Sequence, residues 1–406
     1  MTLRKTKLFT ISMVSILLGA TAVQAADVPV ALIAPLSGPW ARGGQSMRQG
    51  AELAIEDINA AGGIKALGGA KMKLVIGDAG DSPDKARNAA QRLIAETPGL
   101  VGGTGAWLSS FSLAVTEVTE RAEIPWLTIS FSDQITSRGF KYVFQTSAGG
   151  KRQAELALPT IMGLAEKASG GKPSSVGVLT DNTPSPQSIL APLRGGGFEK
   201  AGLKLVVDET FTPPLADATS LVQKVRASRP EMLLALPTGI QDVKLIVEKL
   251  SEFGMGQGKL PVIASGAQAA SPDLLNLLNA DKINGLMTLL VGWPSKDDAD
   301  IEKRFKAKFN EAWMTQDAIY AYGDMWLLKE AVERAGVADP KKVAEVLRKI
   351  DLKDGAAKFY SGGRVRFDEA GRRIDAGIVI VQWQNGVPRT VYPIETASAP
   401  AIWPKK

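Results

Sequence analysis

Val30-Ala31-Leu32-Ile33-Ala34 runs into Pro35-Leu36-Ser37-Gly38-Pro39, and Gln45 to Asn59 follows, closed by Ala61-Gly62-Gly63. An unbroken run of apolar residues bounded by a Pro/Gly turn reads as a buried strand. Met47, Ala51, Ala54 and Ile58 then recur at i, i+4, i+7 and i+11, which places them on one face of a helix. Glycine after the last turn supplies the left-handed residue that a helix stop often uses. Strand, tight turn and amphipathic helix make the first part of a βα unit.

The same unit repeats along the chain. Met72 to Ile76 reads as a strand and Asp84 to Glu96 as a helix. Leu100-Val101 reads as a strand, Ser110 to Ala122 as a helix and Trp126 to Ile129 as a strand. The rhythm restarts near Lys151. Strands are expected at 176–179, 204–207, 232–236 and 262–263, with helices at 187–201, 218–228, 239–252 and 272–279. Helical stretches at 298–312, 316–335 and 340–349 follow, and Gly377 to Trp383 reads as a late strand. Repeated βα units imply an α/β fold with mainly parallel sheets covered on both faces. Two runs of similar size imply two similar domains with a cleft between them. Nothing between them is low-complexity, so strand-like crossovers rather than a loose tether are expected.

Composition narrows the function. Arg4, Lys5 and Lys7 precede the mostly apolar run Leu8 to Leu18, and Val23-Gln24-Ala25 offers small residues before Ala26. This is the layout of a cleavable signal peptide over residues 1–25; an uncleaved anchor is the alternative. Without those three cations the 48 basic residues become 45 against 42 acidic, a balance of +3. No dense Lys/Arg block appears, so no nucleic-acid partner is expected. The chain has no Cys and no His. Disulfides, thiolate nucleophiles, Ser-His-Asp triads and His-based zinc sites are thereby excluded. Carboxylate pairs, Asp78 with Asp81 or Asp297 with Asp298, and a Ser-Lys arrangement remain open for an enzyme. The expected reading is not an enzyme, and no metal or cofactor is expected.

In a parallel α/β domain ligands sit beyond the carboxyl ends of the strands, where helix N-termini point free N–H groups outward. Three segments fit: Pro35 to Gly44, with Trp40; Gly103 to Ser110, with Trp107, Ser109 and Ser110; and the turn of Ser130, Ser132 and Asp133. Hydroxyls and amides at a helix start suit a carboxylate without a cation. The competing reading makes Ser109, Ser132 and Asp133 helix caps and Trp107 a core residue. Trp107 lies in a glycine-bounded turn rather than on a periodic face, which favours a cleft aromatic. Thr238 and Gln268, in turns after later strands, are the candidates from the second half. Gly102-Gly103-Thr104-Gly105 lacks the last glycine of a dinucleotide loop and is weak as a phosphate site.

Leu32-Ile33-Ala34-Pro35-Leu36-Ser37-Gly38-Pro39, with Gly50-Ala51 and Ile58-Asn59-Ala60-Ala61-Gly62-Gly63-Ile64, resembles the opening of periplasmic branched-chain amino acid-binding proteins. The likeness continues through Ser109-Ser110, Ala122-Glu123-Ile124-Pro125, Thr136-Ser137-Arg138-Gly139-Phe140, Tyr320-Ala321-Tyr322-Gly323 and Val381-Gln382-Trp383. It implies the type I periplasmic binding protein fold, two Rossmann-like lobes joined by three crossovers and closing on a solute. The first lobe would take 26–147 plus 294–376, the second 148–293 plus 377–406. The implied function is solute capture for an inner-membrane ABC permease, by a monomer in the periplasm. A sensor handing its signal to a membrane receptor is the alternative.

The resemblance also marks departures. The family's pocket aromatic aligns with Gly43, its second-lobe tyrosine with Ser185, and its ammonium-holding acid with Gly266. Asp181 or Asp133 could substitute for that acid. The hydroxyls of Ser109, Ser110, Ser130 and Ser132 match the family's carboxylate-receiving half better. A small carboxylate with an apolar or aromatic body is therefore expected in place of leucine, with Trp107 and Trp40 as stacking surface.

Overall fold

The computed structural model describes residues 26–404, so the signal peptide expected over 1–25 lies outside the described residues. Among the described residues no helix is long and apolar enough to cross a membrane.

The opening strand, β1 (Val28–Ala34), is buried on both faces. Val30 and Leu32 join one hydrophobic cluster while Ala31 and Ile33 join another. That two-sided burial explains why the run is continuous rather than alternating. Around it lie β2 (Met72–Asp78), β3 (Gly103–Gly105), β4 (Trp126–Thr128) and β5 (Val143–Gln145), all parallel, in the order β2-β1-β3-β4-β5. The helices Ala41–Ala60 and Gln316–Ala335 pack together, with Met47, Ala51, Ala54 and Ile58 buried beside Ala318, Tyr322 and Met325. The helices Pro83–Glu96 and Ser109–Arg121 pack together around Ala86, Ala89, Phe111 and Val115, in the cluster that takes Ala31 and Ile33.

The second sheet uses β6 (Ser175–Asp181), β7 (Lys204–Phe211), β8 (Met232–Leu236), β9 (Val262–Ser265) and β10 (Met287–Leu290). Their order, β7-β6-β8-β9-β10, repeats the pattern of the first sheet. A short hairpin, β11 (Asp351–Leu352) with β12 (Val365–Arg366), intervenes in the chain. Two antiparallel strands, β13 (Val379–Gln384) and β14 (Val387–Tyr392), then extend the second sheet to seven strands. The chain thus passes between the sheets three times: after β5, after β10 and before β13. Two Rossmann-like lobes result.

Three differences from the expected elements have local causes. The central strand falls at Gly103–Gly105 instead of Leu100-Val101. A Cβ at Gly103 would lie 2.4 Å from the Trp126 ring, so tight packing selects glycine where β-propensity argues against a strand. The helix expected at 187–201 is broken: Pro184–Pro192 gives way to a wider turn at Leu193–Gly197, with Gly196 at φ 103°, before Phe198–Lys200. The short strands β5 and β10 carry too few residues for periodicity to reveal them, and β14, six residues long, contains Pro388, which argues against a strand.

Candidate functional site

Both sheets reverse their strand order beside their first strand, at β1/β3 in one lobe and β6/β8 in the other. Such switch points open a crevice at the carboxyl ends of the strands. A cavity of about 50 Å³ lies there. Its walls come from the turns after β3 (Trp107), β4 (Ile129, Phe131), β6 (Ser185, Pro186, Ile189), β8 (Leu236 to Thr238) and β9 (Ser265 to Gln268). The start of the helix Gln316–Ala335 completes them with Gln316 and Asp317.

Trp107 stands on the first-lobe side. Its ring meets Trp40 edge-to-face, centroids 6.1 Å apart at 76°. Its indole Nε1 is buried without a partner. A Cβ at Gly43 would sit 2.6 Å from that nitrogen and 3.1 Å from Gln268 Nε2. The Trp107 indole therefore fills the volume that a side chain at 43 would take. Trp40 in turn faces Gly239 of the opposite lobe.

The hydroxyls behind Trp107 are mutually bonded. Ser130 Oγ donates toward the carbonyls of Ala106 (2.8 Å) and Trp107 (2.9 Å) and lies 2.7 Å from Ser112 Oγ. Ser109 is the first residue of its helix, not the cap, which is Leu108. Its Oγ accepts from Ser132 N at 3.1 Å and pairs with Ser185 Oγ across the cleft at 2.6 Å. Ser132 Oγ caps the short turn Asp133–Ile135. Ser110 does not line the cavity.

On the other side the carboxylate of Asp181 accepts from Thr183 N (2.8 Å), Thr183 Oγ1 (2.6 Å) and Thr238 N (2.6 Å). It ties the turns after β6 and β8 together and so sets Thr238 on the wall. Asp133 accepts from Lys151 N at 2.9 Å, outside the cavity, and burial pushes its carboxyl above the ordinary value. Neither acid faces a solute. Gly266 has φ 86°, and a Cβ there would meet nothing within 4 Å. Beside it the Ser265 hydroxyl is buried and unpartnered.

Of the ten candidate residues, Trp107, Ser185, Thr238 and Gln268 line the cavity. Gly43 and Trp40 back Trp107, Ser109 bridges to Ser185, and Ser130 and Ser132 hold the loops behind. Sequence reasoning missed Ser265, Gln316, Asp317 and the apolar wall of Ile129, Phe131, Ile189 and Leu236. Asp317 is 3% exposed, and burial pushes its carboxyl up to about 7. The signal available was its position, an acid in the first turn of a helix that continues with the uncharged run Ala318 to Gly323.

The acid pairs considered for hydrolysis hold turns instead. Asp78 accepts from Leu36 N, Ser37 Oγ and Gly80 N, and Asp81 pairs with Lys85 at 2.9 Å. Asp298 closes a capping box with Ser295. Among the described residues no group of three or more His, Cys, Asp or Glu could hold a metal ion.

Comparison with known proteins places this geometry. A family model described as periplasmic binding protein matches residues 27–387. The Leu/Ile/Val-binding protein homolog 8 of Brucella melitensis is 26% identical over 384 residues, 92% of each chain. A branched-chain amino acid transporter substrate-binding protein from Streptococcus pneumoniae, in complex with isoleucine, superposes with a TM-score of 0.75. It is 19% identical, over 89% of this chain and 97% of that one. A solute-binding protein from Rhodopseudomonas palustris, in complex with 3,4-dihydroxybenzoic acid, gives 0.73 at 20% identity, over 88% and 93%.

Proposed function

The chain belongs to the periplasmic binding protein family, and from that premise we propose that it captures a small carboxylate for an ABC importer. The solute enters between the lobes, which close on it and present the closed form to an inner-membrane permease. The lobes take 26–147 plus 294–376 and 148–293 plus 377–406. The mature protein acts in the periplasm, as a monomer, after cleavage behind Ala25.

One observation carries the reading: Trp107 Nε1 and Ser265 Oγ, on residues that line the cavity, are buried with no partner. A buried donor left unpaired costs about 1–3 kcal/mol, so the cavity favours an occupant that brings acceptor oxygens. Ile129, Phe131, Ile189, Leu236 and the Trp107 ring suit an apolar or aromatic body. The two solved relatives carry isoleucine and a dihydroxybenzoate, both compact carboxylates.

The test is thermal unfolding of mature protein, first unfolded and refolded to strip carried ligand, against branched-chain and aromatic amino acids, aromatic acids and small amides. A ligand at about a thousand times its Kd stabilises by about 4 kcal/mol. A shift with carboxylates and none with the matched amides supports the reading. Equal shifts with both, or none with any acid, would overturn it.

A further inference from the structure

Asp317 stands out among the cavity residues as a buried acid that forms no ion pair among the described residues. It lies in the first turn of the helix Gln316–Ala335, which covers the first sheet, and its side chain reaches the wall otherwise built from both lobes. It also lines a small void that continues from the cavity beside Gly43, Gln268 and Thr315. Among the described residues, Arg42 is the cation whose charge acts on it. That guanidinium is turned elsewhere: it binds both oxygens of Glu311 at 2.8 and 2.7 Å and pairs with Asp273 at 2.6 Å. The other buried acids differ in this respect. Asp181 receives three donors, and Asp324 receives Thr104 Oγ1 at 2.5 Å and the Tyr360 hydroxyl at 2.7 Å. For Asp317 the neighbouring Gln316 amide is the partner within the protein.

The unpartnered donor Trp107 Nε1 and the acceptor Asp317 are close together, since both flank Gly43 and Gln268. Resting on the solute-capture reading above, we propose that Asp317 is a specificity-determining acceptor. Its carboxylate receives a hydrogen-bond donor, ammonium or hydroxyl, carried by the solute close to its carboxylate. The acid absent at Gly266 is thereby supplied from the other side of the cleft. An unsubstituted acid leaves Asp317 buried without that donor, and a buried carboxylate short of donors is unfavourable. The small void and the open space at Gly266 divide the roles, polar end against apolar body. Burial that holds the carboxyl near 7 agrees with a site poised to receive such a donor.

Two matched series test this by calorimetric titration of the mature protein. The first is leucine, 2-hydroxy-4-methylpentanoate and 4-methylpentanoate; the second is phenylalanine, 3-phenyllactate and 3-phenylpropanoate. In at least one series the donor-bearing members should bind about tenfold or more tightly than the bare acid. Asp317→Leu should shrink the advantage of the donor-bearing members over the bare acid to about threefold or less. Should Asp317→Leu fail to fold, Asp317→Asn keeps the shape; it should lose the ammonium advantage and retain part of the hydroxyl one. The comparison of ammonium with hydroxyl in wild type identifies which donor the site takes. Bare acids that bind as well as their substituted partners would overturn the role of Asp317 and leave carboxylate capture standing. An equal loss for all three members in the variants would do the same, reducing Asp317 to a shaping residue. If no member of either series binds, while amides or other neutral solutes do, carboxylate capture fails and this inference falls with it.

Discussion

At the ends of β3 and β4 the hydroxyls of Ser112, Thr128 and Ser130 bond to one another and to the carbonyls of Ala106 and Trp107. At the end of β9, in the matching position of the other sheet, Ser265 has no partner and Gly266 no side chain. The two walls share one strand order, yet the hydroxyls behind Trp107 are mutually bonded while that of Ser265 is unpaired. Hydroxyl content alone therefore does not locate a binding surface. What matters is which donors the fold has left without acceptors, because a paired hydroxyl gains little from a solute. The bonded hydroxyls do their work indirectly, by holding the Trp107 loop against Gly43.

The largest expected effect tests how the facing wall is held. Asp181→Ala removes the acceptor of two backbone amides and leaves the Thr183 hydroxyl only its Thr238 partner, and should lower unfolding free energy by about 3–5 kcal/mol in urea titrations. Ser130→Ala, on the wall where the hydroxyls share partners, should lower it by only about 1–2 kcal/mol. Equal losses would remove the contrast between the walls.

Next, Trp107→Ala should weaken the best carboxylate ligand by about 2–4 kcal/mol in calorimetry, as for a buried aromatic anchor. An unchanged affinity would put the solute outside the cavity described.

A third effect is pH dependence. Burial raises Asp317 to about 7 and Asp324 to about 6, both above the unfolded value of 3.8. A carboxyl raised on folding is penalised once it ionises. Its contribution is most favourable below about pH 4 and is lost as pH rises through its folded value. Unfolding free energy measured from pH 5 to 8 should carry this decline, and Asp317→Asn should remove the part that continues up to about pH 7 and then levels off. At pH 8 the variant should be more stable than wild type by about 1–3 kcal/mol in the ligand-free protein. A variant that is less stable at pH 8 would show that Asp317 has a structural partner after all.

The last effect is at the open end. Gly266→Ala places its Cβ in free space, so its cost is that of the backbone conformation alone (φ 86°, ψ 161°), about 1–3 kcal/mol by thermal unfolding. A larger residue there should weaken ligands with bulky bodies before it affects small ones, as read by the same titrations.

Much of the fold was legible because it follows from local patterning. The apolar run Val30–Ala34, the i, i+4, i+7, i+11 spacing of Met47 to Ile58 and the repeating βα rhythm dictated two doubly wound sheets. Their period and order depend on residues near one another in sequence. The family resemblance supplied the discontinuous lobes, which a local pattern does not encode. The glycine strand at Gly103–Gly105 escaped because its selection comes from a ring at Trp126, 23 positions away on the neighbouring strand.

The site divided in the same way. The turns that carry Trp107, Thr238 and Gln268 were placed by the rule that solutes lie beyond strand ends, so sequence located the cleft. Asp317 was invisible: it begins a helix whose place over the first sheet is reached only after the chain has built the second lobe. Which hydroxyls are bonded was equally hidden, since Ser130 and Ser109 differ from Ser265 only in their neighbours. By itself the sequence determined a two-lobed α/β chain without histidine or cysteine chemistry, because periodicity and composition are properties of the chain. Only the tertiary structure decided which polar atoms remain unpaired in the cleft, because pairing depends on distances between residues far apart in that chain.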